Sequence, residues 1–97
     1  MAHYRVLVNG VNFWLLVEDT PKRMGFFTTR FVEAASPEEA ELAAVDLLRA
    51  ERKLKPLNER SDPPRVFVEE IEEVLAADIP AVLPGFTFFP DDGETDA

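Results

Sequence analysis

Ninety-seven residues with 46% hydrophobic and 10% aromatic content suit one folded domain with a single core, and the absence of cysteine excludes disulfides, thiolate metal sites and a cysteine nucleophile. The formal net charge of −9 is unevenly placed: residues 1–55 carry eight basic and eight acidic side chains, whereas 56–97 carry two basic and eleven acidic ones. That leaves no overall basic footprint of the kind that displaces counterions from a duplex, which argues against direct nucleic-acid binding.

In chain order, Tyr4–Val8 and Val11–Val17 are β-rich runs separated by Asn9-Gly10, a dipeptide that suits the two positive-φ positions of a type I′ turn. A two-residue turn there pairs Val8 with Val11, Val6 with Phe13 and Tyr4 with Leu15, which puts those six side chains on one core face. The other face then carries Arg5 opposite Trp14, a cross-strand cation–π pair, together with Leu16. Glu18–Gly25 reads as a polar loop. Phe26–Ala34 reads as a third strand with Phe27, Thr29 and Phe31 on one face and Phe26, Thr28, Arg30 and Val32 on the other. Aromatics on both faces suggest cover on both sides.

A helix follows at Ser36-Pro37-Glu38-Glu39. Ser36 is a suitable N-cap, Pro37 stands where a missing amide costs nothing, and Glu39 completes a capping box. Acidic residues crowd its start, and Arg49, Arg52, Lys53 and Lys55 its end, as the macrodipole favours. Helical spacing from Ala40 gives a stripe of Ala40, Ala43, Ala44, Leu47, Ala50 and Leu54, with Leu42 and Val45 off it on the outer flank. Pro56 stops the helix. After a proline-rich loop, Arg65–Val68 reads as a strand continuing to about Ile71, and 69–77 is open to strand or short helix. Pro80, Pro84 and Pro90 exclude a long helix beyond it. Gly85–Phe89 is a candidate edge strand, and 91–97 reads as an acidic, disordered tail.

The expected fold is α+β: an antiparallel meander, β-β-β-α-β with a further short strand possible, carrying one helix on a face over residues 1–90. No constellation of catalytic type emerges. Ser36 is a cap, Ser61 lies in a proline-rich loop and His3 is near the amino terminus, so no nucleophile stands beside a base. Glu69, Glu70, Glu72 and Glu73 fall on both faces of a strand, the acidic tail lacks EF-hand spacing, and no phosphate-binding glycine loop is present. No metal or cofactor is expected. No apolar run approaches the roughly 20 residues of a membrane span, and the amino terminus alternates polar and apolar residues, so a cytoplasmic protein without membrane contact is expected.

The run Gly-Phe-Phe-Thr-Thr-Arg-Phe-Val-Glu-Ala-Ala-Ser-Pro-Glu-Glu-Ala-Glu (25–41), with Pro-Gly-Phe-Thr-Phe-Phe-Pro-Asp-Asp (84–92), resembles a family of small bacterial proteins without an assigned activity. The element order is also similar in topology to the HicB-type antitoxin module, although that module's proline-glycine-cysteine segment is absent. The first resemblance implies fold alone.

The apolar residues that a helix-on-sheet core leaves over are the informative ones. Trp14, Leu16, Leu42, Val45, Phe86, Phe88 and Phe89, with Arg5 as a polar anchor, are the candidate interaction residues. They suggest a non-catalytic protein-interaction module that forms a homodimer. Two other readings stand beside it. One is an acidic inhibitor or antitoxin-like partner of a basic nucleic-acid-binding protein or nuclease. The other is a small ligand-binding domain or enzyme using Glu69 or Glu72 with Arg30 or Arg65.

Overall fold

The structure, a computed structural model, describes residues 1–51 and 54–91. Four antiparallel strands form one sheet in the order β3-β1-β2-β4, where β1 is Ala2–Val17, β2 is Thr20–Ala34, β3 is Arg65–Val74 and β4 is Phe86–Pro90. One helix, α1 (Pro37–Arg49), packs against β1, β2 and β3, and a short 3-10 turn (Ala76–Asp78) follows β3. The α+β class is as expected, but the order within it is β-β-α-β-β.

The difference lies at Asn9-Gly10, which is not a turn. β1 runs through it and is paired on both sides there, Asn9 with Phe27 and Phe67, Gly10 with Phe26 and Val66. Glycine is required for space: a β-carbon on Gly10 would overlap the Phe26 ring. The left-handed residue is Asn12 (φ 60°), where the β1–β2 register shifts between Gly10 and Phe13. This bulge inverts side-chain parity just as the expected turn would have done. Tyr4, Val6 and Val8 before it and Phe13 and Leu15 after it are all buried in the core with α1. The expected division of faces therefore holds for these five residues, whereas Val11, expected among them, precedes the bulge residue Asn12, pairs with Arg65 and lies outside the core cluster.

The hairpin turn is Glu18-Asp19, at φ 52° and 67°, between the paired residues Val17 and Thr20. Most of the segment expected to be a loop is thus β2. Pro21 is tolerated because β4 covers only Met24–Thr28, which leaves an edge beside it. Two non-glycine residues at positive φ cost stability that Asn-Gly would not. Replacing both (Glu18→Asn with Asp19→Gly) is expected to stabilise the fold by about 1 kcal/mol, read as a higher urea midpoint at unchanged slope.

The helix is capped nearly as anticipated. Ser36 Oγ accepts from the Glu39 amide at 3.2 Å, while the Glu39 carboxylate accepts from Ala35, one residue before the expected donor. The buried stripe is Ala40, Ala44 and Leu48, with Ala43 beside it. Leu47 and Ala50 are exposed, so the helix is rotated from the expected stripe toward Leu48 by less than one residue. It ends at Arg49; Arg52 and Lys53, expected in its last turn, lie outside the described residues. Three alanines on this stripe let α1 lie close to the sheet, over Val6, Val8 and Phe26, all fully buried.

β3 continues past Ile71 to Val74, so the 69–77 segment is strand and then a 3-10 turn. Its register shifts between Leu7 and Val8, where Glu69 is the extra residue. Of the segment expected to be a disordered tail, Asp91 donates its amide to Arg23 O and accepts from the Asn12 amide at 2.9 Å. The rest, 92–97, lies outside the described residues.

Candidate interaction surface

α1 closes one face of the sheet. The register and the bulge together decide what the opposite, open face carries. Reading across β3, β1 and β2, one level is Glu72, Arg5 and Phe31, the next is Glu70, Leu7 and Thr29, and the next is Phe67, Asn9 and Phe27. Beyond the bulge come Trp14 beside Arg23, then Leu16 beside Pro21. Phe89 of β4 pairs with Gly25 and reaches over it to Phe27, with ring centroids 5.7 Å apart. The open face is therefore apolar from its middle to its Trp14 end: Trp14 is 36%, Phe27 40%, Phe67 46% and Leu16 62% exposed. Side chains of this size left uncovered on one face mark an interface.

The expected Arg5–Trp14 pair within the chain is absent, because both residues lie on β1 itself. The cross-strand neighbours of Arg5 are Phe31 and Glu72. Its guanidinium donates to Glu70 at 2.6 Å and to Glu72 at 3.1 Å. These hydrogen bonds, Glu70 first and then Glu72, raise its pKa further above the ordinary arginine value, so it stays charged at any working pH. The β3 carboxylates divide as expected between faces. Glu70 and Glu72 hold Arg5 on the open side, while Glu73 pairs with Tyr4 on the helix side.

Trp14 keeps its outward position through polar contacts at the edge of β1, where β3 has ended. Asn58 substitutes for a strand there. Its amide nitrogen donates to Asn12 O at 2.7 Å, and its Oδ1 accepts from the Trp14 amide at 3.1 Å. The Leu57 amide donates to Trp14 O at 2.7 Å. Asn12 Nδ2 in turn donates to Asp62 Oδ1 at 2.9 Å and to Pro63 O.

The other candidate residues separate into different places. Phe86 and Phe88 pair with Thr28 and Phe26 and stack their rings on the helix side, edge-on to Phe26 at 5.2 and 6.1 Å. They close the end of the core and are not part of the Trp14 face. Phe89 alone of the three reaches the open face. Leu42 is exposed on the outside of α1, and Val45 is half-buried, lining a cleft of about 410 Å³ with Phe13, Leu48 and Leu54. Neither approaches the open face of the sheet.

Arg30 and Arg65 do not come together with Glu69 or Glu72. Arg30 lies on the helix side, with Phe86 under its guanidinium at 4.8 Å, donating to Thr28 Oγ1 at 2.8 Å and to Pro84 O at 3.3 Å, and facing Glu51 at 3.7 Å. It ties the segment before β4 to the sheet. Glu69 accepts from Asn9 at 3.5 Å. Among the described residues, no cluster of three or more His, Asp or Glu is arranged to hold a metal ion.

Phe27 and Phe67 are the surface residues that sequence reasoning missed. Alternation places Phe27 with Phe31 opposite Phe26, but aromatics on both faces suggest cover on both sides, and among the described residues only the Phe26 side is covered by a helix. Comparison with protein-family models, with curated proteins and with solved structures finds no match to this chain. Among the described residues, no helix is long and apolar enough to cross a membrane.

Proposed function

We propose that this protein is a non-catalytic interaction module that forms a homodimer through the open face of its sheet. The carrying observation is that Trp14, Leu16, Phe27 and Phe67 are exposed together on the one face that α1 does not cover. Four strands spaced about 4.8 Å apart, on a molecule 41 Å long, outline a face on the order of 700 Å², near the ~800 Å² per partner of a standard interface. Association by the free edge of β3 is disfavoured instead. That strand carries Glu69, Glu70, Glu72 and Glu73, and edge charges of this kind block strand-to-strand pairing. The same division of carboxylates between two faces, two of them neutralised in part by Arg5, gives less support to the acidic-inhibitor reading.

The test is sedimentation velocity across the micromolar to millimolar range, with tryptophan emission followed in parallel. The wild type is expected to dimerise, with emission moving to the blue as Trp14 is covered. The double variant Phe27→Ser, Phe67→Ser is expected to remain folded by circular dichroism and to stay monomeric. A wild type that is monomeric throughout the range overturns the proposal, as does a double variant that dimerises as well as the wild type.

A further inference from the structure

We infer that the two-fold axis of this dimer runs across the strands at the level of Asn9 and Phe67, so that each copy lays the Arg5 end of its open face over the Trp14 end of the other. The inference rests on the homodimer reading above and adds the arrangement and the residues that specify it. A closed two-fold contact between sheet faces has its axis in the interface plane, and in aligned packing, where the strand directions of the two sheets stay within about 30° of each other, that axis runs either nearly along the strands or nearly across them. The open face itself distinguishes these.

Its charges are divided about one level. One level to one side of Phe67 on β3 lies Glu70, opposite Leu7; one level to the other side lies Arg65, opposite Val11. Arg5 with Glu70 and Glu72 makes a cluster of net −1 at one end. At the other end Arg65 makes no ion pair among the described residues, and Arg23 stands next to Trp14, its side chain bonded to the Asp91 carbonyl. On β1, Arg5 precedes Asn9 by four residues and Trp14 follows it by five, one of which is absorbed by the bulge. Arg5 and Trp14 are thus equidistant from the same level.

An axis across the strands through that level superposes unlike on unlike. Glu70 of one copy faces Arg65 of the other, twice. Phe67 meets Phe67 and Phe27 meets Phe27 at the centre, and the guanidinium end approaches the indole end, a favourable pairing for an arginine and tryptophan. Face-packed sheets lie about 10 Å apart, a gap that a glutamate and an arginine reaching from opposite sides span together. An axis along the strands instead carries β3 over β4, where Glu70 finds no basic side chain, because β4 has none. Complementarity therefore selects the crossing axis.

A charge exchange tests the arrangement. Glu70→Lys alone sets lysine against Arg65 at both contacts, and Arg65→Glu alone sets glutamate against Glu70. Each variant is expected to dimerise roughly tenfold more weakly than the wild type at low ionic strength. Mixed together, they form a heterodimer with one native and one reversed pair, and wild-type affinity returns. Glu72→Lys is the control. It disturbs the same Arg5 contact without facing Arg65, so mixing it with Arg65→Glu is expected to restore nothing. The arrangement is overturned if the Glu70→Lys and Arg65→Glu mixture is no tighter than either variant alone, or if the Glu72→Lys mixture is rescued equally. In either case a dimeric wild type leaves the homodimer reading standing, whereas a monomeric wild type overturns both.

Discussion

Phe26→Ala is expected to leave a large part of the population unfolded at room temperature. Phe26 is fully buried where β1 and β4, the two neighbours of β2, flank it, with Phe13 edge-on at 5.0 Å and Phe86 at 5.2 Å. Removing a ring of this size from a closed site costs about 3–5 kcal/mol, because the cavity adds to the lost burial. A domain of this length holds only about 5–15 kcal/mol in total. The same ring explains Gly10. Gly10→Ala drives a methyl into Phe26 and is expected to cost roughly 1–3 kcal/mol by overpacking. The two effects have opposite steric sign, so they couple. In the Phe26→Ala background the added methyl enters vacated space, and Gly10→Ala is expected to be neutral or slightly stabilising there. Urea denaturation of the four proteins measures this directly. Additive losses would show that Gly10 serves something other than the approach of that ring.

That pair of residues also marks the boundary of what local sequence could reveal. Asn-Gly is a strong turn signal because both residues accept positive φ, but nothing local distinguishes a glycine chosen for φ from one chosen to admit an aromatic ring sixteen positions later. The parity of the side chains was legible all the same. A two-residue turn and a one-residue bulge shift the alternation equally, so the expected placement of Trp14 and Leu16 with Arg5 on the non-core face holds although the helix follows two strands and not three. The helix start was legible because caps are local chemistry: Ser36, Pro37 and Glu39 act on backbone groups within four residues. Its rotation was not, since Leu47 and Leu48 offer equal apolar area and only the shape of the sheet below favours Leu48. Arg30 and Arg5 were equally opaque. Their residue type suits a ligand or rim role, yet each is occupied by partners more than fifty positions away, Pro84 for one and Glu70 and Glu72 for the other. The candidate surface followed from the same non-local fact. One helix covers one face, so Phe27 and Phe67, apolar and well placed in their strands, are left facing outward.

The bulge that turns Trp14 outward is held by side chains, and breaking that hold is expected to produce the second large loss. Asn12→Ala removes the donor to Asp62 and Pro63, leaves those oxygens without it in a site where Asn12 was buried, and places a β-carbon-bearing residue without a polar side chain at φ 60°. The expected cost is about 2–4 kcal/mol, combining lost hydrogen bonds to a charged acceptor with the left-handed backbone penalty. Asn12→Gly loses the same side-chain bonds but relieves the backbone, so it is expected to be about 1 kcal/mol milder. Asn58→Ala attacks the same knot from the other side. It strips the partner from the Trp14 amide and from the Asn12 carbonyl at an edge that β3 does not reach. Hydrogen exchange is then the sensitive readout: the Trp14 amide should exchange much faster in Asn58→Ala even where global stability is only moderately reduced, because its protecting acceptor is the missing side chain. Since Asn12 and Asn58 share one network, the double variant should cost less than the sum of the two. Trp14 amide exchange unchanged in Asn58→Ala would mean that the loop does not hold this edge, and that the orientation of Trp14 is set by the β1–β2 pairing alone.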